Sequence, residues 1–179
     1  MKLRKGSQDA TGLTVGIVAS KFNKFVTSRL LTECVKALTK AGASDEAIEV
    51  VRVPGAFEIP LVARQLARSG RFDAVICLGA VIRGDTPHFE YISTEVSRGI
   101  LQASMESNLP VIFGVLTTDT VAQAIERADP AKLNRGADAA KTASEMVNMM
   151  RQLKKEESED VPPGPAPRRA GRTAARAKR

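Results

Sequence analysis

Ala74-Val-Ile-Cys-Leu-Gly-Ala-Val-Ile-Arg-Gly-Asp-Thr-Pro-His-Phe-Glu-Tyr91 is the stretch on which the fold turns. It opens on an unbroken apolar run, Ala74 to Leu78, the mark of a strand buried on both faces of a parallel sheet. Further on, Phe89, Ile92, Val96, Ile100 and Ala103 recur every three or four residues, the spacing of a helix with one apolar face. Gly84 to His88 lie between. Asp85 and Thr86 are good helix N-caps, and Pro87 suits a first helical position. The unit is a strand, a short loop and a helix whose N-terminus meets the carboxyl end of the strand. Open α/β sheets bind ligands at that edge, and the free N–H groups of a helix start attract phosphate. His88, the only histidine of the 179 residues, stands there.

The same unit recurs along the chain. Residues 13–19 read as a first strand. Residues 26–41 read as a helix with Leu30, Leu31, Cys34, Val35 and Leu38 on one side; Asn23 is a cap for it and Gly42 stops it. Residues 48–53 form a second strand, broken by Pro54-Gly55, and residues 57–69 a second helix. Residues 110–116 form a fourth strand. Thr120 and Gln123 suit a capping box for a short helix over 121–128, and residues 137–153 form a last, long helix. Four alternations of strand and helix specify a parallel sheet with helices on both faces and right-handed crossovers. We expect a three-layer α/β/α domain over residues 13–153, with a four-stranded parallel sheet in the order 2-1-3-4 and flavodoxin-like topology.

Hydrophobic residues make up 43% of the chain, enough for a core, and with no Trp and one Tyr that core must be aliphatic. No apolar run reaches the length of a membrane span, and no h-region follows Met1 to Gly6, so a soluble cytoplasmic protein without membrane contact is expected. Cys34 and Cys77 fall in a helical face and a strand, and read as small core residues of a reducing compartment. One His and two distant Cys lack zinc-ligand spacing, so no metal site is expected; no Gly-x-Gly-x-x-Gly or Walker loop occurs. The net charge of +7 is uneven: residues 154–179 hold 8 Lys/Arg against 4 Asp/Glu, which leaves 19 against 16 for residues 1–153. The body therefore makes no case for a nucleic-acid-binding domain. Residues 1–12 are polar and read as an arm. Residues 154–179 form a tail, charged at first, proline-rich over 161–167, then with six basic residues in the last twelve. Such a composition cannot bury a core and should be disordered. It is either a solubilising extension or a contact for an anionic partner such as RNA.

Parallel topology brings four loops to one edge of the sheet: Phe22 and Asn23, Gly55 to Glu58, Ala80 to His88, and Leu116 to Asp119. Imidazole titrates near neutrality, so His88 suits general acid–base work; a solvent-facing histidine in a first turn is the plain alternative. The Asp85-Thr86 turn either holds a phosphate through backbone N–H groups or simply caps the helix. The Asp85 carboxylate is an awkward neighbour for an anion and should point away. Arg127 ends the short helix near Asn134 and Arg135, and a guanidinium grips phosphate at two points, although a solvated surface arginine serves as well. Phe22 either stacks on a flat heterocycle or packs on its own domain. Glu58 accepts bonds from hydroxyls or merely suits a helix start.

Five separated segments, taken together and in register, carry a resemblance: Val15-Gly-Ile-Val-Ala-Ser-Lys-Phe-Asn23, Val53-Pro-Gly-Ala-Phe-Glu-Ile-Pro60, Leu78 to Tyr91, Pro110-Val-Ile-Phe-Gly-Val-Leu-Thr-Thr118 and Gln123-Ala-Ile-Glu-Arg-Ala128. Over residues 12–153 the chain resembles the 6,7-dimethyl-8-ribityllumazine synthases, which act at the penultimate step of riboflavin biosynthesis. The resemblance implies condensation of 5-amino-6-(D-ribitylamino)uracil with 3,4-dihydroxy-2-butanone 4-phosphate, with loss of phosphate and two waters and no metal or redox cofactor. It implies that Phe22 stacks on the pyrimidine and that Asn23, Ala56, Phe57 and Glu58 hold the ribityl chain. Ala80, Val81 and Ile82 would meet the pyrimidine edge through their backbone. Asp85, Thr86 and Arg127 would hold the phosphate, His88 would transfer protons, and Phe113 would come from an adjacent subunit.

The family often has Lys where this chain has Arg135, which keeps the charge for phosphate but not a titrating donor. Family members form pentamers, decamers or sixty-subunit shells. The uninserted connection from Asp129 to Arg135 favours the shell, within which residues 5–12 would add to a neighbour's sheet, with riboflavin synthase as a possible guest. Two rival readings are an archaeal-type riboflavin synthase and a non-catalytic lumazine-binding shell.

Overall fold

Strands β1 (Val15–Ser20), β2 (Ile48–Val53), β3 (Ala74–Ile82) and β4 (Val111–Thr118) form one parallel sheet in the order β2-β1-β3-β4. The order is the expected one. These coordinates come from a computed structural model, and the structure describes residues 1–159. Three helices connect the strands, α1 (Lys24–Lys40), α2 (Ile59–Ala67) and α3 (His88–Ser107), and two follow the last strand, α4 (Val121–Ala128) and α5 (Arg135–Glu159), with a short 3-10 turn at Asp45–Ala47.

Both faces of the sheet are covered, which is why its central strands are continuous apolar runs. Val15, Ile17 and Ala19 of β1, with Ile76 and Leu78 of β3, pack against Cys34 and Leu38 of α1 and Ala140, Ala143 and Val147 of α5. Val18, Val75 and Cys77 point to the other face, against Ile59 and Ala63 of α2 and Val96, Ile100 and Ala103 of α3. The period-two alternation of a strand sorts the side chains between these two layers. A third, smaller cluster of Val26, Leu30, Ala80, Leu116, Ala124 and Ala128 closes the carboxyl edge under α4. Cys34 and Cys77 are both free and buried, in the layers on opposite faces. Burial pushes the Cys34 thiol up to about 12 and the Cys77 thiol higher still, so neither is a thiolate at neutral pH.

Several element ends differ from the expected ones. Asn23 sits at the N-cap of α1 in a left-handed backbone (φ 52°) and makes no side-chain cap. Its carboxamide instead donates to the Ala80 carbonyl at 3.0 Å, across to the end of β3. Neither Asp85 nor Thr86 caps α3: Pro87, with φ −64° and ψ 1°, is the N-cap residue, and His88 is the first helical one. The proline's turn-like backbone carries the chain into the helix, and Gly84 to Thr86 stay exposed. At α4 the Thr120 hydroxyl accepts from Gln123 N as expected. The reciprocal bond lands one residue earlier, with Asp119 N donating to Gln123 Oε1 at 3.0 Å.

α5 starts at Arg135 rather than 137, after Asn134 (φ 42°), whose carboxamide oxygen accepts from Ala137 N at 3.2 Å. It runs on to Glu159, past the expected end at Leu153, so the first residues of the expected tail belong to this helix. The extension has a partner. The N-terminal arm lies along it: Asn148 Nδ2 donates to the carbonyls of Ser7 and Asp9, Gln152 Nε2 donates to that of Lys5, and Glu156 pairs with Lys2 and Arg4. Ala10 is fully buried and its N–H donates to Ala41 O at 2.8 Å. The arm expected on a neighbour's sheet thus rests on its own chain. Residues 160–179, most of the expected disordered tail, lie outside the described residues. Among those described, no helix is long and apolar enough to cross a membrane.

Candidate active site

At the carboxyl edge of the sheet lies an open cleft of about 670 Å³. Its walls include Phe22 and Asn23 after β1, Ala56, Phe57 and Glu58 after β2, Ala80, Val81 and Ile82 at the end of β3, and Thr86 and His88 at the start of α3. Ten of the residues expected at a site therefore meet in one place. Each arrives there because its strand ends there.

The floor is the last turn of β3. Pairing of β3 with β1 stops at Leu78 opposite Ala19, while pairing with β4 continues to Ile82 opposite Thr118. On the β1 side, the backbone from Ala80 onward therefore has no strand neighbour. Asn23 Nδ2 takes the Ala80 carbonyl, and the remaining backbone groups on that side can bond the edge of a heterocycle. Phe22 is 70% exposed, which decides against its packing on its own domain. Its ring stands at the rim, while its N–H is held by Pro54 O at 3.0 Å. Phe57 is also exposed, so two aromatic faces flank the cleft. Glu58 accepts from Gly55 N at 2.8 Å through Oε2. One such bond uses a fraction of a carboxylate's acceptor capacity, and the remainder can take hydroxyls. A Cβ at Gly55 would lie 3.1 Å from that oxygen, so glycine permits the close fold-back of Glu58.

His88 is exposed at the first residue of α3 and lines the cleft. Thr86 lines it as well; Asp85 lies in the same loop but does not, as its charge demands. The three other expected residues are elsewhere. Phe113, Arg127 and Arg135 line a second cleft of about 560 Å³ along β4, the edge strand. Arg127 Nη1 donates to Gln123 O at 3.1 Å, and Arg135 Nη1 lies 3.3 Å from Asp138 Oδ2. The two clefts share no lining residue. One chain brings the loop of Gly84 to Thr86 and the imidazole together, and the two guanidinium groups to a different surface.

The segment that carries these loops is similar to known proteins. A sequence model of the 6,7-dimethyl-8-ribityllumazine synthase family matches residues 12–151. The chain belongs to that family. A family member from Syntrophus aciditrophicus (strain SB), named 6,7-dimethyl-8-ribityllumazine synthase, is 59% identical over 149 residues, 83% of this chain and 97% of that protein. The lumazine synthase fold, an α/β domain around four parallel strands, is the one described above. As a lumazine synthase the chain is a transferase of riboflavin biosynthesis that works as a homo-oligomer on small-molecule substrates.

Some lining residues of this lumazine synthase were not legible as site residues. Gly55 and Gly84 read as turn punctuation, and Phe89 and Ile92 as the inward face of α3, yet all four line the first cleft. The first turn of α3 points its apolar side toward the ligand space as well as the core. Asp138 and Thr142 in the second cleft gave no signal beyond a polar helix face.

Proposed function

We propose that each active site joins the first cleft of one protomer to the second cleft of its neighbour. The observation that carries this is the split of the phosphate-binding set. A phosphate on the loop of Gly84 to Thr86 has helix N–H groups from α3 but no arginine of its own chain in the same cleft. Arg127, Arg135 and Phe113 stand on the open edge of the sheet, where a second copy can receive them. In this reading Phe22 stacks on the pyrimidine, with Phe113 of the neighbouring copy nearby. Asn23, Ala56, Phe57 and Glu58 hold the ribityl chain, and the backbone at Ala80, Val81 and Ile82 bonds the pyrimidine edge. Asp85 shapes the phosphate loop with its carboxylate turned away, and Thr86 faces the phosphate.

The reaction joins 5-amino-6-(D-ribitylamino)uracil to 3,4-dihydroxy-2-butanone 4-phosphate. The 5-amino nitrogen adds to the ketone carbonyl and one water leaves as the imine forms. Phosphate then departs as a proton is lost from carbon, and ring closure releases the second water. His88, beside the phosphate loop, accepts and returns these protons. The phosphate leaves from a helix N-terminus that stabilises the developing anion. Most of the acceleration comes from holding two reactants side by side.

The assembly is read as a sixty-subunit shell of pentamers, because only six residues, 129–134, connect α4 to α5. We place the enzyme in the cytoplasm, with a shell able to enclose riboflavin synthase and the basic charge of residues 168–179 as the attraction for anionic partners. The test is turnover of the two substrates followed by lumazine absorbance, with native mass on the same sample. Arg127→Ala should raise the KM for the butanone phosphate about tenfold and leave that of the pyrimidine unchanged. Riboflavin fluorescence from the lumazine alone, or no product from the two precursors, would refute the assignment.

A further inference from the structure

Arg83 follows the last residue of β3 and immediately precedes the phosphate loop, and its contacts all lead out of that loop. Its N–H donates to Thr118 O at 2.9 Å, continuing the β3–β4 ladder by one residue. Its Nε donates to Asp119 Oδ1 at 2.7 Å, just after β4, and its Nη1 bonds Glu90 Oε1 in the first turn of α3. The guanidinium carbon lies 4.2 Å from the centroid of the Phe89 ring, a cation–π distance. Phe89 itself lines the substrate cleft.

We infer that Arg83 is a positioning residue for phosphate binding: it fixes the loop of Gly84 to Pro87 by tying the end of β4 to the first turn of α3 across it. The inference rests on the phosphate reading of this loop given above. The loop itself is exposed, with few contacts to hold it. A phosphate needs its N–H groups aimed at one point, and a planar guanidinium with two fixed partners supplies a frame that a flexible ammonium cannot. Either ion pair alone, exposed as both are, would count for little. Together with the ring contact and the ladder bond they hold the residue at four points. The same guanidinium pairs with the carboxylates of Glu90 and Asp119, which would otherwise repel an incoming phosphate. It also holds the Glu90 carboxyl below the usual carboxylate range.

The test uses the assembled full-length enzyme. Arg83→Ala should raise the KM for the butanone phosphate about tenfold while kcat and the pyrimidine KM change by less than about threefold. The inhibition constant of inorganic phosphate should rise in parallel. Arg83→Lys keeps the charge but not the fork and should lie between the two. A merely structural role would lower the active fraction and leave both KM values alone. An unchanged butanone-phosphate KM and an unchanged phosphate inhibition constant in Arg83→Ala would overturn the proposal. Should that variant fail to assemble, Asp119→Ala and Glu90→Ala carry the test: each removes one tie together with one negative charge near the loop, so a raised butanone-phosphate KM reports lost positioning, and two unchanged or lowered values refute the clamp. Absence of turnover in the wild-type protein would instead sink the site reading, and phosphate affinity of wild type against Arg83→Ala would still decide the role of Arg83.

Discussion

His88 owes its position to a chain of backbone causes. β3 ends, Pro87 turns the chain, and the next residue is the first of α3, exposed at the cleft. An imidazole at that point can move protons, yet the condensation needs only modest help once both reactants are held. His88→Ala should therefore lower kcat only about tenfold, less than the usual acid–base contribution of about 10²–10⁴-fold, with both KM values nearly unchanged. Asn23 carries two burdens at once. Its left-handed backbone suits Asn or Gly, and its carboxamide ties α1 to the Ala80 carbonyl. Asn23→Ala should cost about 1–3 kcal/mol, the sum of backbone strain and a lost hydrogen bond, and Asn23→Gly less. Thermal unfolding of the two variants, with the glycine variant melting higher, checks this. The sequence made His88 and Phe22 conspicuous because a lone histidine and a loop aromatic stand out by type. Arg83 did not stand out: its partner Asp119 is 36 residues away, and only the register of β3 on β4 brings them together.

Elements were legible to the degree that their signals were local. β2 and α4 begin and end where hydrophobic period and turn residues put them, and the sheet order follows from crossover topology. The end of α5 was not legible, because its apolar period stops at Leu153 while the helix continues on a charged face held by the arm. Those ties run from side chains to backbone carbonyls more than 130 residues away, and no local pattern records them. A similar long-range tie has a pH signature. Asp73, at the foot of β3, is partly desolvated, which opposes its charge, but it accepts from Thr14 N at 2.9 Å and from Arg151 at 2.8 Å, and the net effect lowers its pKa. A carboxyl whose folded pKa is depressed stabilises above its unfolded value, near 3.8, and loses that contribution as pH falls through the folded one. Asp73→Asn should cost about 1–2 kcal/mol at pH 7, and the gap in melting temperature to wild type should close below about pH 4. A gap independent of pH would show that packing, not charge, is at stake. Gly136 sets the crossing of α1 and α5: a Cβ there would collide with the Leu30 carbonyl, so Gly136→Ala should destabilise by about 1–3 kcal/mol and displace Arg135. Its melting temperature and butanone-phosphate KM would show both effects.

A single copy of this chain leaves Leu61, Tyr91, Leu101 and Met105 of α2 and α3 exposed, large apolar side chains of the kind that association covers. Association with further copies would cover such surface, and the shared site proposed above would give the assembly a chemical reason. The sequence reading assigned Phe113 alone to an adjacent subunit; Arg127 and His88 look there like members of one set because both sit near the carboxyl edge. Only the side of β4 on which a residue stands separates them. The division predicts complementation. Co-expressed His88→Ala and Arg127→Ala chains, assayed at low butanone phosphate, are each defective alone. If a site takes His88 from one copy and Arg127 from the next, random mixing at equal amounts leaves about a quarter of sites with both wild-type residues. Activity of the mixed assembly should then exceed the mean of the two parents and approach about a quarter of wild type. If both residues served one site within a chain, every site would keep one lesion and the mixture would equal that mean. Because a shared site lifts the mixture above the mean and a self-contained one leaves it at the mean, a single titration of mixing ratio, with native mass confirming mixed particles, separates the two.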